Sequence, residues 1–155
     1  MSNGHVSWDW IDAQLRAHRS VWLSTTRPDG RPHAMPVWYW WDGTALYFIT
    51  ARTTQKARNL ASSNQVVVHG WDGDDVVILE GTAAAVTDPT EHDRLEQAWA
   101  AKYVEPVTGE HDSTRREGDL VFRLVIRRIM AWTYGRIGGR TDYLPTADGE
   151  WMLAP

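Results

Sequence analysis

The chain has no cysteine, and that absence removes disulfides, thiolate nucleophiles and thiolate metal sites together. No apolar run is long enough to span a bilayer. The opening residues MSNGHVSWDW have neither the basic n-region nor the apolar h-region of a secretory signal. The expectation is a cytoplasmic chain with no membrane partner. An excess of positive charge is also missing. The formal net charge is -4, which weighs against a broad nucleic-acid footprint but leaves room for a local basic patch. No repeat, low-complexity tract or Pro/Gly/Ser linker divides the 155 residues, so one domain over 1–155 is expected, large enough to bury a core.

The side chains advertise no catalysis of their own. The six histidines (His5, His18, His33, His69, His92 and His111) are scattered, without a helical His-x-x-x-His pair or attendant carboxylates, and no metal site is expected. The serines lack a Gly-x-Ser-x-Gly elbow. An enzyme with this sequence would therefore draw its chemistry from a cofactor. GRIGGR, 135–140, resembles a phosphate loop only superficially, because no helix follows to supply amide donors. It reads as a flexible loop, with a weaker reading of Arg136, Arg140 and Tyr143 as a flap over an anionic substrate.

What the sequence does have is indole, with ten tryptophans, enough to pack a core, an interface or an aromatic ligand. SWDWIDAQLRAHR predicts a first helix within residues 1–18, capped by Ser7. SVWLSTT alternates as a strand into the turn RPDG. The strand RPHAMPVWYWW then runs through a two-residue Asp42-Gly43 turn into TALYFIT, a hairpin signature. A helix over 53–62 follows, with Ala57, Leu60 and Ala61 inward. Next come the strands QVVVHGW and DDVVILEGTAAAVT around a second Asp-Gly turn. The helix starting at Asp88-Pro89 has the clearest start signal. DLVFRLVIRRIMAWTY reads as a long strand with a bulge near Ile126–Ile129, and 135–155 reads as a loop-like tail. Strands joined by hairpins, with about three inserted helices, indicate an α+β, mainly β fold: an antiparallel barrel packed by helices.

Two segments raise a functional question. In PVWYWW, 36–41, the plain reading is a strand packed on both faces, yet Pro36 cannot donate to a ladder and marks an edge or interruption. In ARTTQKARNL, 51–60, the cations Arg52, Lys56 and Arg58 crowd the positive end of a helix dipole, where carboxylates are preferred. Two readings stand on the residues alone. One is a solvated basic stretch paired with Asp72, Asp74 or Asp75; the other is a phosphate gripped by the cations and the helix amides.

The stretch VWLSTTRPDGRPHAMPVWYWWDGTALYFITARTTQKARNL, with EGTAAAVTDPTEHDRLEQAWAAKY and FRLVIRRIMAW behind it, resembles the pyridoxamine 5′-phosphate oxidase-like, flavin/deazaflavin oxidoreductase superfamily. The resemblance covers about residues 20–134. It implies an FMN-binding type of split β-barrel, usually a homodimer with cofactors in clefts at the interface. By that resemblance Lys56 matches the cofactor-phosphate lysine, and Arg52, Thr53 and Thr54 occupy the neighbouring phosphate-loop positions. Pro36, Val37 and Trp38 match the segment lining the isoalloxazine, Thr50 a polar position beside it, and Trp132 a late aromatic near the cleft. Many members carry a basic residue where this chain has Thr54.

The implied function is an oxidoreductase binding FMN or the deazaflavin coenzyme F-420 and moving hydride equivalents to or from a small organic substrate. An Ala-, Arg- and Trp-rich composition of an actinobacterial kind tips the choice slightly towards the deazaflavin. The alternatives are a non-catalytic flavin- or haem-binding member of the same fold and, on stacking residues alone, a single-strand nucleic-acid-binding barrel.

Overall fold

The structure, a computed structural model, describes residues 4–134 and 139–155. Ser7 opens helix α1 (Trp8–Ala17) by accepting the Trp10 amide, and Ile11 and Leu15 form its buried stripe. Strand β1 (Ser20–Thr26) then alternates cleanly between exposed and buried residues. It turns at RPDG, where the Gly30 amide donates to the Arg27 carbonyl at 2.9 Å and Gly30 takes a φ of +87°. Strands β2 (Pro32–Trp41) and β3 (Leu46–Ala51) form the expected hairpin, but the turn differs from the expected one. Trp41 pairs with Leu46, so four residues make the connection instead of two. The cause is Asp42, whose Oδ1 takes the Thr44 and Ala45 amides at 2.8 Å each and displaces a two-residue ladder closure.

Helix α2 (Gln55–Ser62) follows, then β4 (Gln65–Trp71), β5 (Val76–Ala85), helix α3 (Pro89–Lys102) and β6 (Asp119–Trp132). Asp88 caps α3 through the Thr90 and Glu91 amides, with Pro89 at its first turn. In the sheet, β3, β2, β1, β4, β5 and β6 are neighbours in that order, and β6 also pairs with β3, which closes an antiparallel barrel. The expected bulge is present: Glu80 pairs with Arg128 and Gly81 with Ile126, leaving Arg127 as the extra residue. Gly81 is obligatory there, since a Cβ would stand 2.1 Å from the Val125 carbonyl oxygen.

Three expectations are overturned. The tail read as loop contains β7 (Thr141–Pro145) and β8 (Trp151–Leu153), which extend the sheet beyond β6. Their apolar pattern is too short to register as strands; β6 supplies the hydrogen-bond partners of β7, and β7 those of β8. Tyr143, offered as a flap residue, is instead buried against Trp8 and donates its hydroxyl to the Val6 carbonyl at 3.0 Å. Arg140 pairs with Asp142, and Arg136 of the same reading lies outside the described residues. In α2, Ala61 is exposed and Asn59 is buried in its place. Asn59 donates to Thr25 Oγ1 at 2.8 Å and accepts from Gln55 Nε2 at 2.7 Å, so a satisfied amide pins α2 to β1.

The barrel interior is filled by Val21, Leu23, Tyr39, Trp41, Phe48, Val68, Leu79 and Leu124, with Ile11 and Leu15 of α1 in the same cluster. Outside the barrel, Leu95, Trp99 and Tyr103 pack α3 onto Tyr47 and Val121. None of the helices among the described residues is long and apolar enough to cross a membrane.

Candidate functional site

The end of β3 runs directly into α2, and that junction builds the site. Thr54 rather than Thr53 caps the helix: its Oγ1 accepts the Ala57 amide at 3.3 Å and meets the buried Thr50 Oγ1 at 2.8 Å. The three cations crowding this helix end then separate in role. Arg58 folds back, donating to the Thr53 carbonyl at 2.7 Å and to Gln55 Oε1 at 3.0 Å. Arg52 and Thr53 are exposed and stand outside the cleft lining. Lys56 turns into the cleft, with no hydrogen-bond or ion-pair partner among the described residues. The aspartates offered as partners stay away, since Asp72 caps its own turn through the Asp74 and Asp75 amides.

This cleft has a volume of about 340 Å³. Pro36, Val37 and Trp38 form one wall, Thr50, Thr54 and Lys56 another, and Trp99, Asp112, Ser113, Arg116 and Asp119 complete it. Of the nine residues singled out in the sequence, six thus meet in one place. The conformation of the third wall follows from α3. Trp99 Nε1 donates to Asp112 Oδ2 at 2.9 Å, and Glu96 receives the Ser113 hydroxyl at 2.8 Å and the Thr114 amide at 2.7 Å. Arg116 pairs with Asp112. Trp38 lies flat on Tyr103, with ring centroids 4.8 Å apart and planes within 1°, and remains 48% exposed. Sequence reading passed over this wall because Trp99 has the spacing of a core helix residue and the 104–118 loop carries no motif. The spacing of Asp112 and Arg116 gives no signal either, because the pair lies outside any helix.

Lys56 and Arg27 place positive charge beside His33 at the α2 corner of the cleft, while Asp112 and Asp119 line its other side. Burial lowers the Lys56 ammonium below its ordinary value, as expected for a cation leaving water without a counter-ion. Burial, together with the charges of Arg27 and Lys56, likewise lowers His33. An anion entering this corner would meet an unneutralised ammonium, the Thr54 hydroxyl and the first turn of a helix.

Trp132 is elsewhere. It lines a separate cavity of about 330 Å³ with Gly73, Asp74, Thr133, Tyr134, Gly139 and Arg140. Asp119 of the first cleft and Trp132 stand at opposite ends of β6, and the two cavities share no lining residue.

The sequence profile of the family described as pyridoxamine 5′-phosphate oxidase matches residues 8–133. Among solved structures, a conserved hypothetical protein from Mycobacterium tuberculosis, Rv2991, is 25% identical with a TM-score of 0.72, over 90% of this chain and 96% of that one. A pyridoxamine 5′-phosphate oxidase-related, FMN binding protein from Nostoc punctiforme is 16% identical with a TM-score of 0.64, over 96% of each chain. An F420 reductase is 22% identical with a TM-score of 0.56, over 76% of this chain and 94% of that one. Comparison with curated protein sequences gives no match.

Proposed function

The chain belongs to the pyridoxamine 5′-phosphate oxidase family, and on that premise we propose that it is a homodimeric oxidoreductase that binds FMN or the deazaflavin coenzyme F-420 in the cleft around Lys56. The observation carrying this reading is the ammonium of Lys56, half-buried in a cleft and unpaired among the described residues. A buried cation without a counter-ion is costly in the free protein, and a phosphate group removes that cost. The residues fit such a cofactor. Lys56 and the Thr54 hydroxyl would take the phosphate, while Pro36, Val37 and Trp38 give a flat, largely apolar wall for a ring system.

When bound, the flavin or deazaflavin supplies the hydride chemistry. The chain supplies the rest. Lys56 anchors the phosphate end and thereby fixes how far the ring reaches along β2. Trp38, held flat by Tyr103, excludes water from one face of the cleft. The loop tied down by Glu96 and Trp99 keeps Asp112 and Arg116 at the rim, where they orient a small organic substrate. No side chain is assigned as acid or base.

The dimer belongs to the same proposal. Trp22 and Trp38, exposed by 45% and 48%, lie on the adjacent strands β1 and β2, and Pro36 pairs directly opposite Trp22. An apolar patch of this kind bordering the cleft suits a second copy of the chain. The cleft volume, near the lower end for ligand sites, agrees with a site that the partner completes. A partner would also be the source of a Trp132 near the cofactor.

The test is an absorption and fluorescence titration of the purified protein with FMN, F-420 and haem in turn, with molar mass measured by light scattering. Saturable uptake of FMN or F-420 by a dimer is the expected result. Uptake of haem alone would place the chain among non-catalytic binders of this fold, and uptake of none would sink the cofactor reading.

A further inference from the structure

The cleft around Lys56 opens sideways. A second cavity, of about 480 Å³, shares Trp38, Asp112 and Arg116 with it and continues past them to Arg19, Tyr103 and the loop 104–111. Trp38 and Tyr103, stacked in parallel, form its aromatic wall. The loop wall is pinned. Val104 bridges to His111, the Glu105 amide donates to the Glu110 carbonyl at 2.8 Å, and the Glu105 carboxylate accepts the Val107 amide at 2.8 Å. His111 Nδ1 lies 2.6 Å from the Ala100 carbonyl near the end of α3. A carbonyl only accepts, so Nδ1 carries the hydrogen and Nε2 is the polar atom left over.

The charges of this cavity are sorted by wall. Arg116 is paired with Asp112, and the Glu105 carboxylate is engaged by its own turn. Glu110 is exposed on the loop. Arg19, on the barrel side just before β1, holds its guanidinium 5.2 Å from the Trp38 ring centroid and 5.4 Å from that of Tyr103. Its side chain makes no hydrogen bond or ion pair among the described residues. The backbone beneath it is fixed all the same, because the Tyr103 hydroxyl meets the Arg19 carbonyl at 2.7 Å. Contact with ring faces leaves the forked N–H donors of a guanidinium open to a ligand. An available cation thus stands over an aromatic platform, at the side of the proposed cofactor cleft.

We propose that this side cavity is the substrate subsite, and that it takes a flat ring system bearing one carboxylate. The ring packs against Trp38, and the carboxylate pairs with the Arg19 fork. The inference rests on the reading of the Lys56 cleft as the cofactor site, because Trp38 is common to both cavities and a ring held there lies beside the cofactor. The charges favour a monoanion. One free guanidinium answers one carboxylate, whereas a phosphate dianion would add repulsion from Glu105 and Glu110 with no second free cation to offset it. Lys56 and Arg19 then divide the two anions, phosphate at one end of the joined cavities and carboxylate at the other.

Isothermal titration calorimetry with 2-naphthoate and its neutral counterpart 2-naphthamide tests this, on the free protein and on protein saturated with the cofactor it takes up. The carboxylate should bind about tenfold tighter than the amide, or better. Arg19→Gln, an exposed change that leaves the backbone contact with Tyr103 in place, should remove that preference. Lys56→Met should leave the naphthoate affinity of the free protein within about twofold of the parent, since its ammonium belongs to the other cleft. Cofactor-loaded protein should bind naphthoate at least as well as free protein. Absence of naphthoate binding, a preference that survives Arg19→Gln, or binding lost in Lys56→Met or on cofactor loading would each overturn the proposal. The two readings fail separately. Cofactor uptake without naphthoate binding sinks the subsite alone, while Arg19-dependent binding without cofactor uptake sinks the cofactor reading and, with it, the role as a substrate subsite.

Discussion

Replacing Lys56 by methionine separates a phosphate ligand from a structural lysine, because the two roles predict opposite effects on the free protein. A lysine that braces a fold loses partners when it is removed, and stability falls. Lys56 has no hydrogen-bond or ion-pair partner among the described residues, and burial already lowers its ammonium. Its charge is therefore a cost in the free state, and Lys56→Met keeps most of the aliphatic volume while relieving that cost. The free variant should unfold at the same temperature as the parent or higher. Cofactor binding should move the other way. Loss of one charge-assisted contact to a phosphate is worth about 1.5–3 kcal/mol, or a dissociation constant weaker by about 10- to 150-fold.

Thermal unfolding without ligand and a fluorescence titration with FMN and F-420 supply the two readouts. Each parent affinity should also fall steeply with added salt, and that slope should flatten in the variant. An unchanged dissociation constant for the cofactor that binds would refute the phosphate assignment. A free variant destabilised by more than about 1 kcal/mol, well beyond the usual effect of a surface substitution, would show that Lys56 braces the fold.

Two further predictions concern the scaffold. Gly81→Ala places a methyl 2.1 Å from the Val125 carbonyl oxygen and 3.0 Å from the Ile126 Cα. Neither can retreat without opening the bulge, so a loss of about 3 kcal/mol is expected, which calorimetry would register as a fall in Tm of about 6–12 °C. At Glu96, burial pushes the carboxyl up, but hydrogen bonds from Thr114 and Ser113 outweigh it and hold the group below its ordinary value of 4.5. A lowered folded value means that the tether is fully present above pH 4.5 and is lost as pH falls through the folded value. The protection factor of the Thr114 amide, its exchange rate relative to the unprotected rate at the same pH, should fall on acidification over that range and be low already at neutral pH in Glu96→Ala. Unchanged exchange in the variant would show that Glu96 does not hold the loop.

Much of the architecture was legible because it is written locally. Ser7, Thr54 and Asp88 cap helices through atoms two or three residues away, and the alternation in β1 and β4 follows from the pleat. The imperfect alternation of β6 even gave away its bulge at Arg127. The failures have equally local causes. Asp42 captured two amides and lengthened a turn. The five-residue strand β7 depends on the edge of β6, which no window of its own sequence contains, and the three-residue β8 depends in turn on β7.

The candidate site divides along the same line. The sequence alone determined that cations gather at the start of α2 and that Pro36–Trp38 forms a strand beside them in any barrel of this kind, because helix caps, proline and strand period act over a few bonds. Only the tertiary structure decided which cation is available. Arg58 is taken by its own helix turn and Arg52 stands outside the cleft, while closure of β3 on β6 brings Lys56 and Asp119 to a common pocket. It also decided that Trp132 belongs to another cavity of the same chain and that the far wall comes from α3 and the loop beyond it. Propensity fixes where charges lie along a chain. Whether a charge finds a partner depends on chain segments tens of residues away, and that is settled only when the barrel closes.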